Sequence, residues 1–128
     1  MQLNIFHRVL LLAVAATSLF AQAPAAPKVT LVMATLSVNQ GVTQDQIMKV
    51  MQTEVRDTVK LYLDGKIQQW FSRGDGKGVV FLLDCKSVEE AKAILGELPL
   101  VKGNLVTFDY MPLGPLTPLR LLVAPPAQ

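Results

Sequence analysis

Beyond position 7 the chain contains no histidine, and in its whole length it has one cysteine, one tryptophan and two tyrosines. Only 17% of its residues are charged, and the formal net charge is +2. Each scarcity excludes a class of chemistry. The one imidazole, His7, falls in an N-terminal segment that reads as removable, so serine–histidine and cysteine–histidine catalysis drop out, as do histidine-held metal centres. No metal and no cofactor are expected. The lone Cys85 has no partner for an intramolecular disulfide. It follows the apolar run Val79–Asp84, where a small buried hydrophobe is the plain reading and a thiolate favoured by Lys86 the sharper one. A chain so close to neutral carries no electrostatic footprint for nucleic acid.

What is present begins with an address. Met1 to Arg8 is a short basic stretch, Val9 to Phe20 is an apolar run of about a dozen residues, and small residues follow from Ala21. That is the order of a secretory signal peptide, and the run falls short of the roughly twenty residues of a membrane span. The expected organisation is a signal peptide over 1–23, an Ala/Pro linker over 24–27, one α+β domain over 28–115 and a tail over 116–128. Removing Arg8 with the signal leaves eleven basic against ten acidic side chains. The mature chain is expected to be exported, periplasmic or secreted, with no stable membrane span.

Within the domain, the patterning alternates between strand and helix. Val29 to Leu36 is β-branched and apolar, the length of a strand, and Asn39-Gln40-Gly41 breaks it. Thr43 with Gln46 three residues later has capping-box spacing, and Ile47, Val50, Met51, Val55, Leu61 and Tyr62 recur at helical intervals up to Leu63. Lys66–Arg73 and Lys77–Cys85 flank Gly74-Asp75-Gly76, a hairpin signal. Ser87 with Glu90 opens a second helix striped by Val88, Ala91, Ile94, Leu95 and Leu98 and closed by Pro99. Leu105 to Met111 is a fourth strand. The order β-α-β-β-α-β predicts a ferredoxin-like α+β fold: a four-stranded antiparallel sheet in the order 4-1-3-2 with two helices on one face.

The second face of that sheet also reads as buried, because the third strand is apolar at nearly every position where a half-solvated sheet would alternate. A chain this short has no third layer, so a second copy is the expected cover. The expected partner is therefore the chain itself, as a homodimer packed through the sheet face, with the Leu116–Val123 stretch crossing over or covering an edge.

Several phrases carry a resemblance. They are Tyr62-Leu63-Asp64-Gly65 closing the first helix, Trp70-Phe71 in the next strand, and Phe81-Leu82-Leu83-Asp84-Cys85-Lys86-Ser87-Val88-Glu89-Glu90 entering the second helix. With Leu98-Pro99-Leu100, they resemble the muconolactone isomerase-like family over nearly the whole domain. The resemblance implies a dimeric α+β barrel, a cleft between sheet and helices, and a cofactor-free isomerase in which a carboxylate of the first helix moves a proton beside a lactone carbonyl. Counted back from Gly65, that position is Glu54. The fourth strand departs from the family: Met111-Pro112-Leu113-Gly114-Pro115 stands where those isomerases carry a His-Pro pair.

The residues themselves add to this. Glu54 lies at the edge of the first helix's apolar stripe, where partial burial would raise its pKa toward useful general-base range; an ordinary edge glutamate is the other reading. Tyr110 and Asp109, successive in the fourth strand, are the candidate assistants. Asp109 must reach solvent or a cation such as Arg73. Arg56 and Lys60 read as a solvated face or as a site for an anion. Gly74-Asp75-Gly76-Lys77-Gly78 reads as a hairpin turn, since it lacks a phosphate loop's spacing. Two functions remain open: an exported isomerase acting on a small lactone or organic acid, and a non-catalytic ligand-binding or assembly module on the same barrel.

Overall fold

The computed structural model describes residues 28–119 and Leu122; the expected signal peptide, the linker and most of the tail lie outside the described residues. The elements run β1 (Leu31–Val38), α1 (Gln44–Leu63), β2 (Ile67–Ser72), β3 (Val79–Leu83), α2 (Val88–Leu95), α3 (Pro99–Lys102) and β4 (Val106–Leu113), followed by a 3-10 turn at Thr117–Leu119. The fold is α+β. Its four strands form one antiparallel sheet ordered β2-β3-β1-β4, which is the expected order read from the other edge.

Alternate residues of the central strands point into one core. Ala34 sits between Phe81 and Tyr110, and Leu36 lies opposite Phe108, so Val32, Ala34, Leu36, Phe81, Leu83, Val106 and Phe108 share a face. Ala91 and Leu95 of α2 close onto that face with no exposed surface. The opposite face carries Met33, Val80, Leu82 and Phe71, interrupted by Thr35, Gln69 and Asp109. Its central residues are half-buried, while Phe71, at the β2 edge, is 54% exposed.

The sequence pattern missed several boundaries for identifiable reasons. β4 continues past Met111 through Pro112 to Leu113, because an edge strand tolerates the missing N–H. α2 stops at Leu95 with Gly96 as its cap, and Pro99, expected to close that helix, instead occupies the first turn of α3. Leu98 is buried as the residue preceding α3, not as part of the α2 stripe. Glu90 accepts the N–H of Lys86 at 3.1 Å and leaves the Ser87 N–H alone, so Ser87 and Glu90 form only half of a capping box. Among the described residues, no helix is long and apolar enough to cross a membrane.

The largest departure lies on α1. Its start matches the sequence: the Thr43 hydroxyl accepts the Gln46 N–H, and Gln46 Oε1 accepts the Thr43 N–H at 2.8 Å. Its stripe matches in part: Ile47, Val50 and Leu61 pack half-buried against the core. Val55 and Tyr62 are exposed, and the two buried residues of the helix are Glu54 and Thr58.

Candidate functional site

α1 packs against α3 and β2, whereas α2 packs against β1 and β4. The first helix therefore bridges the sheet without closing on its centre, and a cleft of about 990 Å³ remains beneath it. Ile47, Met51 and Val59 line the helix side, and Leu36, Trp70 and Phe81 line the sheet side. Trp70 is steadied by Tyr62, stacked on it at 4.7 Å between ring centroids with 11° between planes.

Glu54 stands in this wall and is 6% exposed. One carboxylate oxygen, Oε2, accepts the Leu100 N–H at 2.9 Å. The sequence Leu98-Pro99-Leu100 explains the contact: Leu98 has no side-chain oxygen with which to cap α3, and Pro99 has no N–H, so the first backbone donor of that helix is Leu100. A carboxylate from α1 supplies the missing acceptor. Oε1 makes no hydrogen bond, yet no fully enclosed side-chain oxygen among the described residues lacks a partner. Oε1 is therefore not fully enclosed, on a residue that lines the cleft.

Burial pushes the Glu54 carboxyl above its ordinary value of 4.5, the Leu100 N–H opposes this by favouring the charged form, and the nearby Asp57 charge adds to the rise. Thr58, the other buried polar residue of α1, contributes no free hydroxyl, since its Oγ1 donates back to the Glu54 carbonyl at 2.8 Å. Glu54 is thus a partly desolvated carboxylate with one oxygen anchored and one available, as a general base requires.

The other two site residues anticipated from the sequence lie elsewhere. Tyr110 is on the core face of β4 but outside the cleft lining; its ring lies 6.2 Å from Phe108 and 5.9 Å from Lys92 Nζ of α2, and burial pushes its phenol upward. Asp109 is exposed on the opposite face, opposite Thr35. A strand's period of two separates neighbours onto opposite faces, so these two cannot both reach one cleft. Nor does Arg73 pair with Asp109: it bonds Asp75 at 2.5 Å within its own hairpin and donates to the Leu36 carbonyl at 3.4 Å. Arg56 and Lys60 are exposed, and neither lines the cleft.

Two cleft residues were legible as residues but not as a site. Arg73 and Lys77 line one end of the cleft because the hairpin folds back over Leu36. Gly78 allows this approach: a Cβ there would lie 2.8 Å from the Leu36 carbonyl oxygen, at φ +137°. Cys85 is a buried hydrophobe, its thiol pushed up by desolvation and by the Glu90 charge. Among the described residues, no three metal-ligating side chains gather. The chain matches no protein-family model and no curated protein sequence.

Proposed function

We propose that this is an exported, cofactor-free isomerase of the muconolactone isomerase-like kind, in which Glu54 moves a proton on a ligand held between α1 and the sheet. The observation that carries this reading is Glu54 itself: a carboxylate facing an apolar cleft, one oxygen tied to Leu100 N–H and the other open. In the step it supports, Oε1 takes a proton from the γ-carbon of a ligand lactone whose double bond is conjugated with the carbonyl. The C–H electron pair shifts through that double bond toward the carbonyl oxygen as a dienolate, and the neutral Glu54 acid returns the proton to the carbon beside the carbonyl. The double bond moves, no atom is lost and no oxidant is consumed.

Solvent-deuterium incorporation into a panel of butenolides, muconolactone first, tests the step. Wild-type protein should exchange the activated hydrogen, and Glu54→Gln should lower the rate by about 10² or more. Equal rates in the two proteins would remove Glu54 from the mechanism.

One observation favours the second reading, a ligand-binding module without chemistry. With Tyr110 and Asp109 outside the cleft, Glu54 is the only carboxylate among the described residues of its lining, and none of those residues is a tyrosine or a histidine. Glu54 would then serve chiefly to join α1 to α3. Ligand binding without deuterium exchange in any panel member would decide for that reading.

The homodimer belongs to the same proposal. The sheet face that none of the described elements covers presents Met33, Val80, Leu82, Phe71 and Met111, an apolar surface that a two-fold copy would bury. Sedimentation should give a dimer at micromolar concentration, and a Leu82→Lys variant should give a monomer that still folds. A wild-type monomer would end that part of the proposal.

A further inference from the structure

The cleft is a trough more than a pocket. α1 lines it from Gln44 through Ile47, Met51 and Glu54 to Val59, about one contact per turn. At 1.5 Å per residue that stretch is about 22 Å long. Its volume of about 990 Å³ stands at the top of the range for drug-sized ligands, and its walls are predominantly aliphatic and aromatic. A bare lactone ring would leave most of it to water.

One end of the trough is polar and positive. β1 runs out of the sheet at Val38 and re-enters as α1 at Gln44, and at that end the hairpin folds over Leu36. Arg73 has five guanidinium N–H donors, of which one serves the Leu36 carbonyl and one Asp75, so three remain. Asp75 balances the Arg73 charge. Lys77 donates its backbone N–H to Asp75 Oδ1 at 3.0 Å, but its ammonium joins no ion pair among the described residues. A net positive charge thus stands at the mouth. Asp45, in the first turn of α1, does not line the cleft. The far end, at Val59 and Trp70, is apolar.

We infer that the ligand of this trough is an elongated, largely apolar carboxylic acid whose carboxylate meets Arg73 and Lys77 and whose carbon body lies along α1 toward Val59 and Trp70. Glu54, some ten residues along the helix from Gln44, then meets a carbon well removed from the acid group. Only this last point rests on the reading of Glu54 as a base; the binding does not.

Calorimetric titration of the purified chain with decanoate, decan-1-ol and muconolactone tests the inference. Decanoate should bind roughly tenfold tighter than the alcohol, and tighter than the short lactone. Lys77→Gln should weaken decanoate by about threefold, as one partly exposed charge would, and leave the alcohol unchanged. Glu54→Gln should bind decanoate at least as well as wild type, because it removes a like charge. Equal affinity for acid and alcohol, no binding of either, tighter binding of muconolactone, or indifference to Lys77→Gln would overturn the ligand class. The two readings fail separately. Decanoate binding as described with unchanged deuterium exchange in Glu54→Gln removes the base and keeps the ligand. Lost exchange with no preference for the acid keeps the base and removes the ligand.

Discussion

α1 and α2 cover the same face of one sheet, yet only the shorter helix closes on it. α2 has eight residues, and its inward positions, Ala91 and Leu95, are fully buried against β1 and β4. α1 has twenty, and what it buries is a glutamate and a threonine. The small side chain of Ala91 lets α2 approach closely; α1 rests on α3 and β2 at its sides and bridges the strands between. Ile47, Val50 and Leu61 pack against the core only half-buried, while Met51, Val55 and Val59 line a trough. Leaving apolar surface wet forgoes about 25 cal/mol for each Å². On the reading proposed above, a helix that forgoes it along four turns is arranged around a ligand.

Truncating each helix should separate the two roles, and the largest effect belongs to α2. Leu95→Ala deletes a fully buried side chain and should cost about 2–5 kcal/mol, read as a lower midpoint in urea unfolding. Ligand affinity, measured well below that midpoint, should change little, since Leu95 does not line the cleft. A loss of affinity as large as the loss of stability would mean that α2 shapes the site after all.

The hairpin wall comes next. Gly78→Ala places a Cβ against the Leu36 carbonyl at a backbone angle that favours glycine, and it should cost about 1–3 kcal/mol. Because Arg73 and Lys77 ride on the same hairpin, this variant should also weaken acid binding in calorimetry. Loss of stability with affinity intact would detach the hairpin from the binding end.

How far all this could be read in advance differs between the two helices. For α2, the Ser87 start and the Ala91 and Leu95 positions followed from spacing alone, because those side chains meet the sheet directly beneath them. For α1 the same method named Val55 and Tyr62 as buried, and they are not. Periodicity reports which residues share a helix face but not how closely that face approaches its neighbour. α1 packs instead on α3, a four-residue helix begun by Pro99, which the sequence presented as the end of α2. Glu54 was legible because it lies at the margin of a stripe. Its bond to Leu100 was not, since it joins residues 46 apart. Tyr110 and Asp109 were named for their chemistry, and the period of two in β4 sends them to different faces.

The charge of Glu54 gives a stability signature that an ordinary edge glutamate would lack. Burial raises its folded pKa above the ordinary 4.5, so the folded chain holds this proton to higher pH than the unfolded chain does. Its contribution is therefore fully favourable below about pH 4.5 and is lost as pH rises through the raised value. Glu54→Gln keeps an oxygen to accept the Leu100 N–H and removes the charge. Thermal melts should find the variant more stable than wild type at neutral pH, with the gap closing in acid. A variant less stable at neutral pH, with the deficit closing in acid, would mean that the charged hydrogen bond to Leu100 outweighs desolvation and that Glu54 is chiefly a clasp between α1 and α3.

The smallest effect on stability should be the most specific for function. Val55 and Met48 are both apolar residues of α1, 53% and 56% exposed, and only Val55 lines the trough. Replacing either by serine changes a surface position and should move stability by no more than about 0.5 kcal/mol. Decanoate affinity should nevertheless fall several-fold in Val55→Ser, because a half-wet apolar side chain gains its remaining burial only when the ligand arrives. Met48→Ser should leave affinity where it was. If both variants bind decanoate equally well, the exposed apolar residues of α1 serve some surface other than this trough, and the contrast with α2 loses its functional meaning.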